Sequence, residues 1–245
     1  MSSILLPLIF VSPVVQAQRA INAPPFSPRI FLTPVPGVPF SATLDVEITR
    51  ALTNGSAFQR KSSAMIARDS RGRIHNELRQ NLPFASTQQP HLLSVHIYDP
   101  DTGINTFLTP STRLARLRQG APHSPAAPPF NWAQHQPSNA QANAGVQFQD
   151  LGSSMMEGVD VHGYSRAVTL PNKFTGTGQS VVITDEYWYS EDLRINMMEK
   201  HIDPRTGVLT VTVTNLNRVE PPPEMFEVPL DYKVVDMTPP AQASQ

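Results

Sequence analysis

The chain contains no cysteine among its 245 residues. This absence excludes a disulfide scaffold, a thiolate metal site, a cysteine nucleophile and a lipidated N-terminal cysteine. Charge is balanced as well, since 19 basic residues face 20 acidic ones and the formal net charge is −1. The sequence therefore lacks the electrostatic signature of a protein that binds nucleic acid or an anionic membrane surface, and we expect no nucleic-acid partner.

Long hydrophobic runs are also missing. The apolar run at residues 4–15 is too short to span a bilayer as a helix, so we expect no integral membrane span. It ends in the tripeptide VQA at 15–17, which suits cleavage before Gln18, although no lysine or arginine precedes the run. We interpret residues 1–17 as a signal peptide and predict an exported protein, periplasmic or extracellular. A buried strand or an uncleaved anchor is the alternative.

Signatures of catalysis and metal binding are absent too. The seven histidines form no HxH or HExxH spacing, and the chain has no GxSxG, phosphate-binding glycine loop or dinucleotide fingerprint. The adjacent acids Asp185 and Glu186 do not form a carboxylate pair, because consecutive strand residues point to opposite faces. We therefore predict a protein that is not an enzyme and that uses no cofactor and no metal.

Proline, in contrast, is abundant, with 25 residues against 12 glycines, and this limits helix and marks turns. Much of the remaining chain alternates apolar and polar residues, most regularly from Phe40 to Ile48, which predicts a half-buried strand. Turn signals separate such segments: Asn54-Gly55, and the motif Asp-Pro-x-Thr-Gly at 99–103 and again at 203–207. These patterns predict a mainly β fold built from antiparallel hairpins.

Two segments leave alternatives open. In residues 73–82 apolar residues recur every fourth position, which suits either a helix or one face of a strand, and the flanking turns favour strand. Residues 113–118 are short and basic and predict an edge strand. The other predicted strands lie within residues 58–68, 92–98, 104–108, 146–156, 159–170 and 179–232, and the last stretch includes one helical turn at 221–226 that acts as a plug.

The domain organisation follows from composition. Residues 18–37 are a proline-rich arm, in which Phe26, Ile30 and Phe31 are able to dock on the domain although a mobile tether is the plainer interpretation. One β domain spans 38–236 and is interrupted at 119–145 by an insert rich in Pro, Ala, Gln and Asn, which is too polar to bury a core and is interpreted as disordered. Residues 237–245 are a flexible tail.

The order of hairpins, the aromatic strand 186–189, the hairpin at 193–203 and the closing segment 223–229 resemble uncharacterised exported bacterial proteins. More distantly, they resemble the LolA/LolB superfamily of lipoprotein carriers. This resemblance implies one strongly curved antiparallel sheet, an open half-barrel, around an apolar cavity that a short helical lid partly covers. It also implies a lipid or lipoprotein ligand.

Two functions from different classes remain. The first is a non-enzymatic binding module for a lipid, an acyl chain or another apolar ligand held in a curved-sheet cavity. The second is a structural or protein-interaction domain of the cell envelope, with a core filled by its own side chains and an envelope protein as partner. For the first, the candidate cavity residues are Leu44, Val46, Tyr187, Trp188, Tyr189, Met197 and Phe226; packing in the core is the alternative role of each.

Overall fold

The computed structural model describes residues 30, 32–51, 56–120, 145–175 and 178–238. The predicted signal peptide, the Asn54-Gly55 turn and most of the insert lie outside these residues. Short helical turns occur at Pro110–Thr112, Asn172–Thr175 and Pro223–Phe226. The strands are β1 Phe40–Ala51, β2 Ala57–Arg68, β3 Ile74–Arg79, β4 Leu82–Pro83, β5 Leu92–Asp99, β6 Ile104–Thr109, β7 Leu114–Gln119, β8 Val146–Met156, β9 Val159–Leu170, β10 Val181–Ser190, β11 Ile195–Asp203, β12 Gly207–Asn217 and β13 Lys233–Asp236.

All thirteen strands belong to one sheet, in the order β13-β7-β6-β5-β3-β2-β1-β12-β11-β10-β9-β8, with the short β4 beside β2. Each half is a meander of neighbouring strands, and the two halves join where β1 pairs with β12. The sheet is curved and does not close, because its end strands β13 and β8 have no pairing with each other. The predicted fold class, mainly β with one open curved antiparallel sheet, is confirmed.

Several turns form where the sequence predicts them. Gly103 and Gly207 close the two Asp-Pro-x-Thr-Gly loops with φ angles of 68° and 108°, a region that glycine adopts without strain. The β8–β9 hairpin turns at Glu157 and Gly158, both with positive φ. The ambiguous segment at 73–82 is strand, since β3 pairs with both β2 and β5.

The prediction that residues 113–118 form an edge strand is wrong. β13 returns from the far end of the chain and pairs with the outer side of β7, from Lys233 opposite Leu114 to Asp236 opposite Leu117. This pairing is parallel, whereas the other strand pairs are antiparallel. Parallel neighbours need a long connection, so a local pattern at 113–118 does not reveal the partner strand.

The two faces of the sheet from β2 to β7 carry different side chains. Directly opposed residues share a face, and the register places Ile66, Asn76, His96 and Phe107 together on one face. We call this the arm face, because residues 32–34 of the N-terminal arm lie over it. The opposite face, called the plug face, buries Ala67, Val95, Ile97, Leu108 and Ala115 against Phe226 of the Pro223–Phe226 turn.

The arm face continues across β1, β12 and β11 as a filled core. Leu44 lies opposite Val213, and Val46 lies opposite Val211. Ile30 of the arm is fully buried in the same core, so the docking alternative holds for this residue. The members of the filled core are Ile30, Phe40, Ala42, Leu44, Val46, Ile66, Val159, Val161, Leu193, Ile195, Met197, Val211 and Val213.

Arg68, at the end of β2, ties the arm to this core. Its guanidinium is fully buried and donates to the carbonyl oxygens of Val38 (2.9 Å), Thr33 (3.0 Å) and Leu193 (2.6 Å). It also lies 5.0 Å above the centre of the Phe40 ring. Burial, reinforced by nearby Arg194, lowers the pKa of Arg68 to about 10, so the side chain remains charged at neutral pH. One residue thus holds the arm and the β10–β11 turn on the sheet.

Candidate ligand-binding site

A pocket of about 610 Å³ lies on the arm face over β3, β5 and β6. This volume falls within the roughly 300–1,000 Å³ that is usual for small-molecule sites. The pocket is partly open, and residues 32–34 of the arm form one wall. Its lining is Leu32, Thr33, Pro34, Ile74, Asn76, Glu77, Leu78, Ser94, His96, Tyr98, Asn105 and Phe107.

The strand register explains why these residues meet. Asn76 lies opposite His96, which in turn lies opposite Phe107, so three adjacent strands each send one side chain to the same row. Ile74, Tyr98 and Asn105 form a second row in the same way. The floor is therefore a regular piece of sheet that mixes aromatic, aliphatic and uncharged polar side chains.

His96 and Phe107 form a flat wall within this floor. Their rings stack with centroids 4.8 Å apart and planes 14° from parallel. His96 Nε2 lies 2.9 Å from Asn105 Oδ1, and because this oxygen accepts, the contact holds the tautomer with hydrogen on Nε2. Phe107 remains 43% exposed and Leu78 37% exposed, so both pocket-lining side chains leave part of their apolar surface uncovered by the described residues.

Glu77 is the acid in the lining, and its charge is already compensated. Its Oε2 accepts from Arg79 Nε (2.7 Å) and from the Met65 amide (3.0 Å). Burial pushes the pKa of Glu77 upward, but the hydrogen bonds from His75, Arg79 and the Met65 amide outweigh it and lower the pKa to about 2. No lysine or arginine is among the described residues that line the pocket, so its inner surface presents no uncompensated charge.

The seven residues proposed from sequence lie elsewhere. Leu44, Val46 and Met197 are buried in the filled core, and Trp188 packs against it. Phe226 lies on the plug face, in a separate cluster. None of the seven is among the lining residues of the 610 Å³ pocket. Their contact with a ligand remains a prediction. Of the seven, the structure brings together Leu44, Val46, Met197 and Trp188.

The aromatic strand β10 divides its side chains between two environments. The Trp188 indole lies flat on Gly163, where an added Cβ would come within 2.9 Å of three ring atoms, and its Nε1–H donates to Glu186 Oε1 (2.6 Å). Tyr187 stands opposite Glu199, and burial, with the charges of Asp185 and Glu199, raises its pKa. Burial also raises the pKa of Tyr189, to about 12.

Sequence reasoning missed the pocket for a physical reason. In β5 the apolar residues Val95 and Ile97 alternate with Ser94, His96 and Tyr98, and this pattern marks the second set as the solvent face. In the structure Val95 and Ile97 pack under the plug, while the other set lines the pocket. The sequence feature that could have indicated the pocket was the group of neutral polar residues, together with Phe107, on two successive hairpins.

A second polar group occupies β9 to β11. Asp185 is buried, lies 2.6 Å from His201 Nδ1, and has Arg166 Nη1 3.6 Å from its other oxygen. Glu199 is also buried and accepts from Asn196 Nδ2 (2.8 Å). Asp185 and Glu186 indeed contact different partners, as expected for consecutive strand residues. Within the described ranges no group of His, Asp or Glu has an arrangement suited to a metal ion.

Comparisons with known proteins give structural likeness only. No protein-family model matches the chain, and no curated protein sequence matches it. Among solved structures, the Pseudomonas aeruginosa MucA/MucB complex is similar at 13% identity and a TM-score of 0.38, over 80% of this chain and 58% of that one. The chain thus spans less than two thirds of the length of that structure.

Two further structures cover more of their own length. LprF from Mycobacterium bovis is 13% identical with a TM-score of 0.29, over 76% of this chain and 90% of that one. A LolA superfamily protein from Nitrosomonas europaea is 8% identical with a TM-score of 0.29, over 79% and 91%. The distant LolA-like resemblance expected from the sequence is found here, and it concerns the fold alone. In the described part of the chain, no helix is long and apolar enough to span a membrane.

Proposed function

We propose that this protein is an exported, non-enzymatic binding module that holds a lipid, an acyl chain or another apolar ligand in the pocket over β3, β5 and β6. The observation that carries the proposal is the pocket itself. Its 610 Å³ lie between a sheet floor and an arm wall, and Phe107 and Leu78 leave apolar surface exposed in it. A site of this size with a few placed polar groups is typical of small-molecule binding.

The lining also supports a ligand that is mainly apolar. Leu32, Pro34, Ile74, Leu78 and Phe107 supply hydrocarbon surface, and its removal from water favours binding by about 25 cal/mol per Å². The amide side chains Asn76 and Asn105, together with Ser94, offer both donors and acceptors to an uncharged polar group. The charge of Glu77 is already satisfied within the protein, which leaves it little role in attracting a counter-ion.

A second candidate function is interaction with an envelope protein, and one observation favours it. The eleven-residue strand β8, Val146–Met156, ends the sheet order and pairs on one side only among the described strands. An exposed edge of this length accepts an added strand through main-chain hydrogen bonds. A partner that binds there would leave the pocket free, so the two functions are separable by experiment.

Native mass spectrometry of protein exported from a bacterial host tests the proposal. We expect a bound species that is lost on denaturation and is recovered as a lipid by organic extraction. Ser94→Trp should fill the pocket and lower retention about tenfold, since it displaces contact worth roughly two buried methylenes. Ser154→Trp, which makes the same change on an exposed position of β8, is the matched control and should retain the ligand.

A clean mass with no ligand, and no uptake of added fatty acids or phospholipids, would contradict the binding function. Equal retention by both tryptophan variants would place the ligand outside this pocket. Thermal unfolding of the two variants verifies that each has folded. The same spectrum shows whether the exported chain begins at Gln18, which tests the predicted signal peptide.

A further inference from the structure

Beside the pocket, on the same face, lies a row of exposed cations. The register sets Arg116 opposite Phe107 and Arg118 opposite Asn105, so both arginines of β7 project from the face that carries the pocket floor. Lys233 of β13 lies two residues before Val235, which is opposite Arg116, so it shares this face. All three side chains are exposed. We call Arg116, Arg118 and Lys233 the basic rim.

The basic rim is not neutralised by the protein. Within the described residues neither Arg118 nor Lys233 forms an ion pair, and Arg116 donates only to Thr109 Oγ1 at 3.3 Å. Arg113, the residue before the same strand, differs because it pairs with Asp231 at 3.3 Å. Asp236 is opposite Leu117 and therefore belongs to the other face. Three cations thus stand together without an acidic partner.

The pocket and the rim are complementary in chemistry. The rim begins one strand away from Phe107 and Asn105, a distance of about 5 Å between backbones. The pocket interior offers hydrocarbon and neutral polar groups, while the rim offers guanidinium groups, which bind phosphate and carboxylate oxygens in a bidentate way. Each region supplies what the other lacks.

We propose that the pocket selects anionic amphiphiles, with the acyl chain over β3, β5 and β6 and the negatively charged head on Arg116, Arg118 and Lys233. This inference rests on the proposed binding function and specifies its ligand class. A neutral amphiphile binds through the chain alone. A free anion binds only weakly, because exposed ion pairs contribute little without the buried chain.

The test compares ligands that share one palmitoyl chain and differ in the head, each used below its micelle concentration. These are lysophosphatidylglycerol (anionic), lysophosphatidylcholine (zwitterionic) and monopalmitoylglycerol (neutral), with glycerol phosphate as the head without a chain. Binding to the full chain is measured by titration calorimetry. We expect the anionic ligand to bind about fivefold to tenfold more tightly than the other two, and this preference to shrink at high salt.

Variants assign the preference to the rim. The triple variant Arg116→Gln, Arg118→Gln, Lys233→Gln should remove the preference for the anionic head and leave the affinity for monopalmitoylglycerol unchanged. Arg218→Gln removes an exposed guanidinium outside the rim, directly after β12 and 4.0 Å from Asp192, and is the control for loss of a surface cation. It should keep the full preference.

Each outcome separates the two proposals. If no amphiphile binds, the binding function fails and this inference fails with it. If all three heads bind equally, the inference is overturned while the binding function stands. Glycerol phosphate that binds as tightly as the anionic amphiphile would indicate an anion site independent of the pocket, which also overturns the inference. So would a triple variant that weakens the neutral ligand as much as the anionic one.

Discussion

Two regions of the arm face share the same alternation of apolar and polar residues along their strands, but one is packed and the other is open. In the filled core, Leu44 is 3% exposed and Met197 is fully buried. On the same face, Leu78 lies two strands from β1 and Phe107 lies four strands from it, and each keeps about two fifths of its surface exposed. β2 forms the boundary, because its Ile66 is opposite Ala42 on one side and Asn76 on the other.

The difference arises from what covers each region. Over the filled core, Ile30 and Leu193 come from distant parts of the chain, and both are fully buried in it. Over β3, β5 and β6 the cover consists of Leu32, Thr33 and Pro34, which bound the pocket without filling it. Strand alternation thus selects the face, and the covering segments decide whether that face becomes core or cavity.

The largest loss of stability is expected at Arg68, whose side chain joins the arm to the filled core. Arg68→Met removes the donor of three carbonyl hydrogen bonds and leaves those acceptors without their partner, so we expect the free energy of unfolding to fall by about 3 kcal/mol or more. Urea denaturation measures this loss. Loosening of the arm should also weaken ligand retention, since Thr33 both accepts from Arg68 and lines the pocket.

The exposed neighbour Arg71 supplies the control for this change. It pairs with Asp101 at the surface, with more than half of each side chain exposed, so Arg71→Met should change the free energy of unfolding far less than Arg68→Met does. A loss for Arg68→Met no greater than that for Arg71→Met would show that the buried contacts do not hold the arm in solution.

A matched pair of leucines compares the two regions directly. Leu44→Ala removes buried methyl groups from the filled core and should cost about 2–4 kcal/mol of unfolding free energy. Leu78→Ala makes the same chemical change in the pocket floor, where the side chain is already partly solvated, and should cost about 1 kcal/mol or less. Equal losses, measured by urea denaturation, would mean that the pocket is filled in solution.

The smallest change in stability is expected at Glu199, a buried carboxyl group at the end of the filled core. Val211 is opposite Glu199, which is buried, and burial raises the pKa of this carboxyl above its ordinary value of 4.5. The charged form is therefore disfavoured in the folded protein, and stability falls as the pH rises from the unfolded value through the folded pKa. Glu199→Gln keeps an oxygen that accepts from Asn196 and should stabilise the protein at neutral pH.

The same variant should show little gain at acid pH, where Glu199 is protonated in both the folded and unfolded states. Thermal unfolding across pH 3–8 measures the difference between the two proteins. Glu191→Gln, in the exposed β10–β11 turn, should unfold at the same temperature as the parent protein at every pH in this range. A Glu199→Gln curve that also follows the parent would mean that the carboxylate is hydrated in the folded state.

The strands and turns could be predicted from the sequence because their causes are local. Alternation over 40–48 places Phe40, Leu44 and Val46 on one face, and the Asp-Pro-x-Thr-Gly loops supply glycines for positive φ angles. The candidate site could not be predicted in the same way. Alternation identifies Leu44 and Met197 as inward-facing, but it does not tell whether inward means packed or open.

The sequence by itself determined the mainly β class, most hairpins and the proline-bounded plug, since each depends on residues within a few positions of one another. Only the tertiary structure decided that β1 pairs with β12, that β13 covers β7, and that Arg68 holds Thr33 and Leu193. These contacts join residues far apart in the chain. They depend on which surfaces remain to be covered after the hairpins have formed, and the same long-range choice leaves the floor over β3, β5 and β6 open.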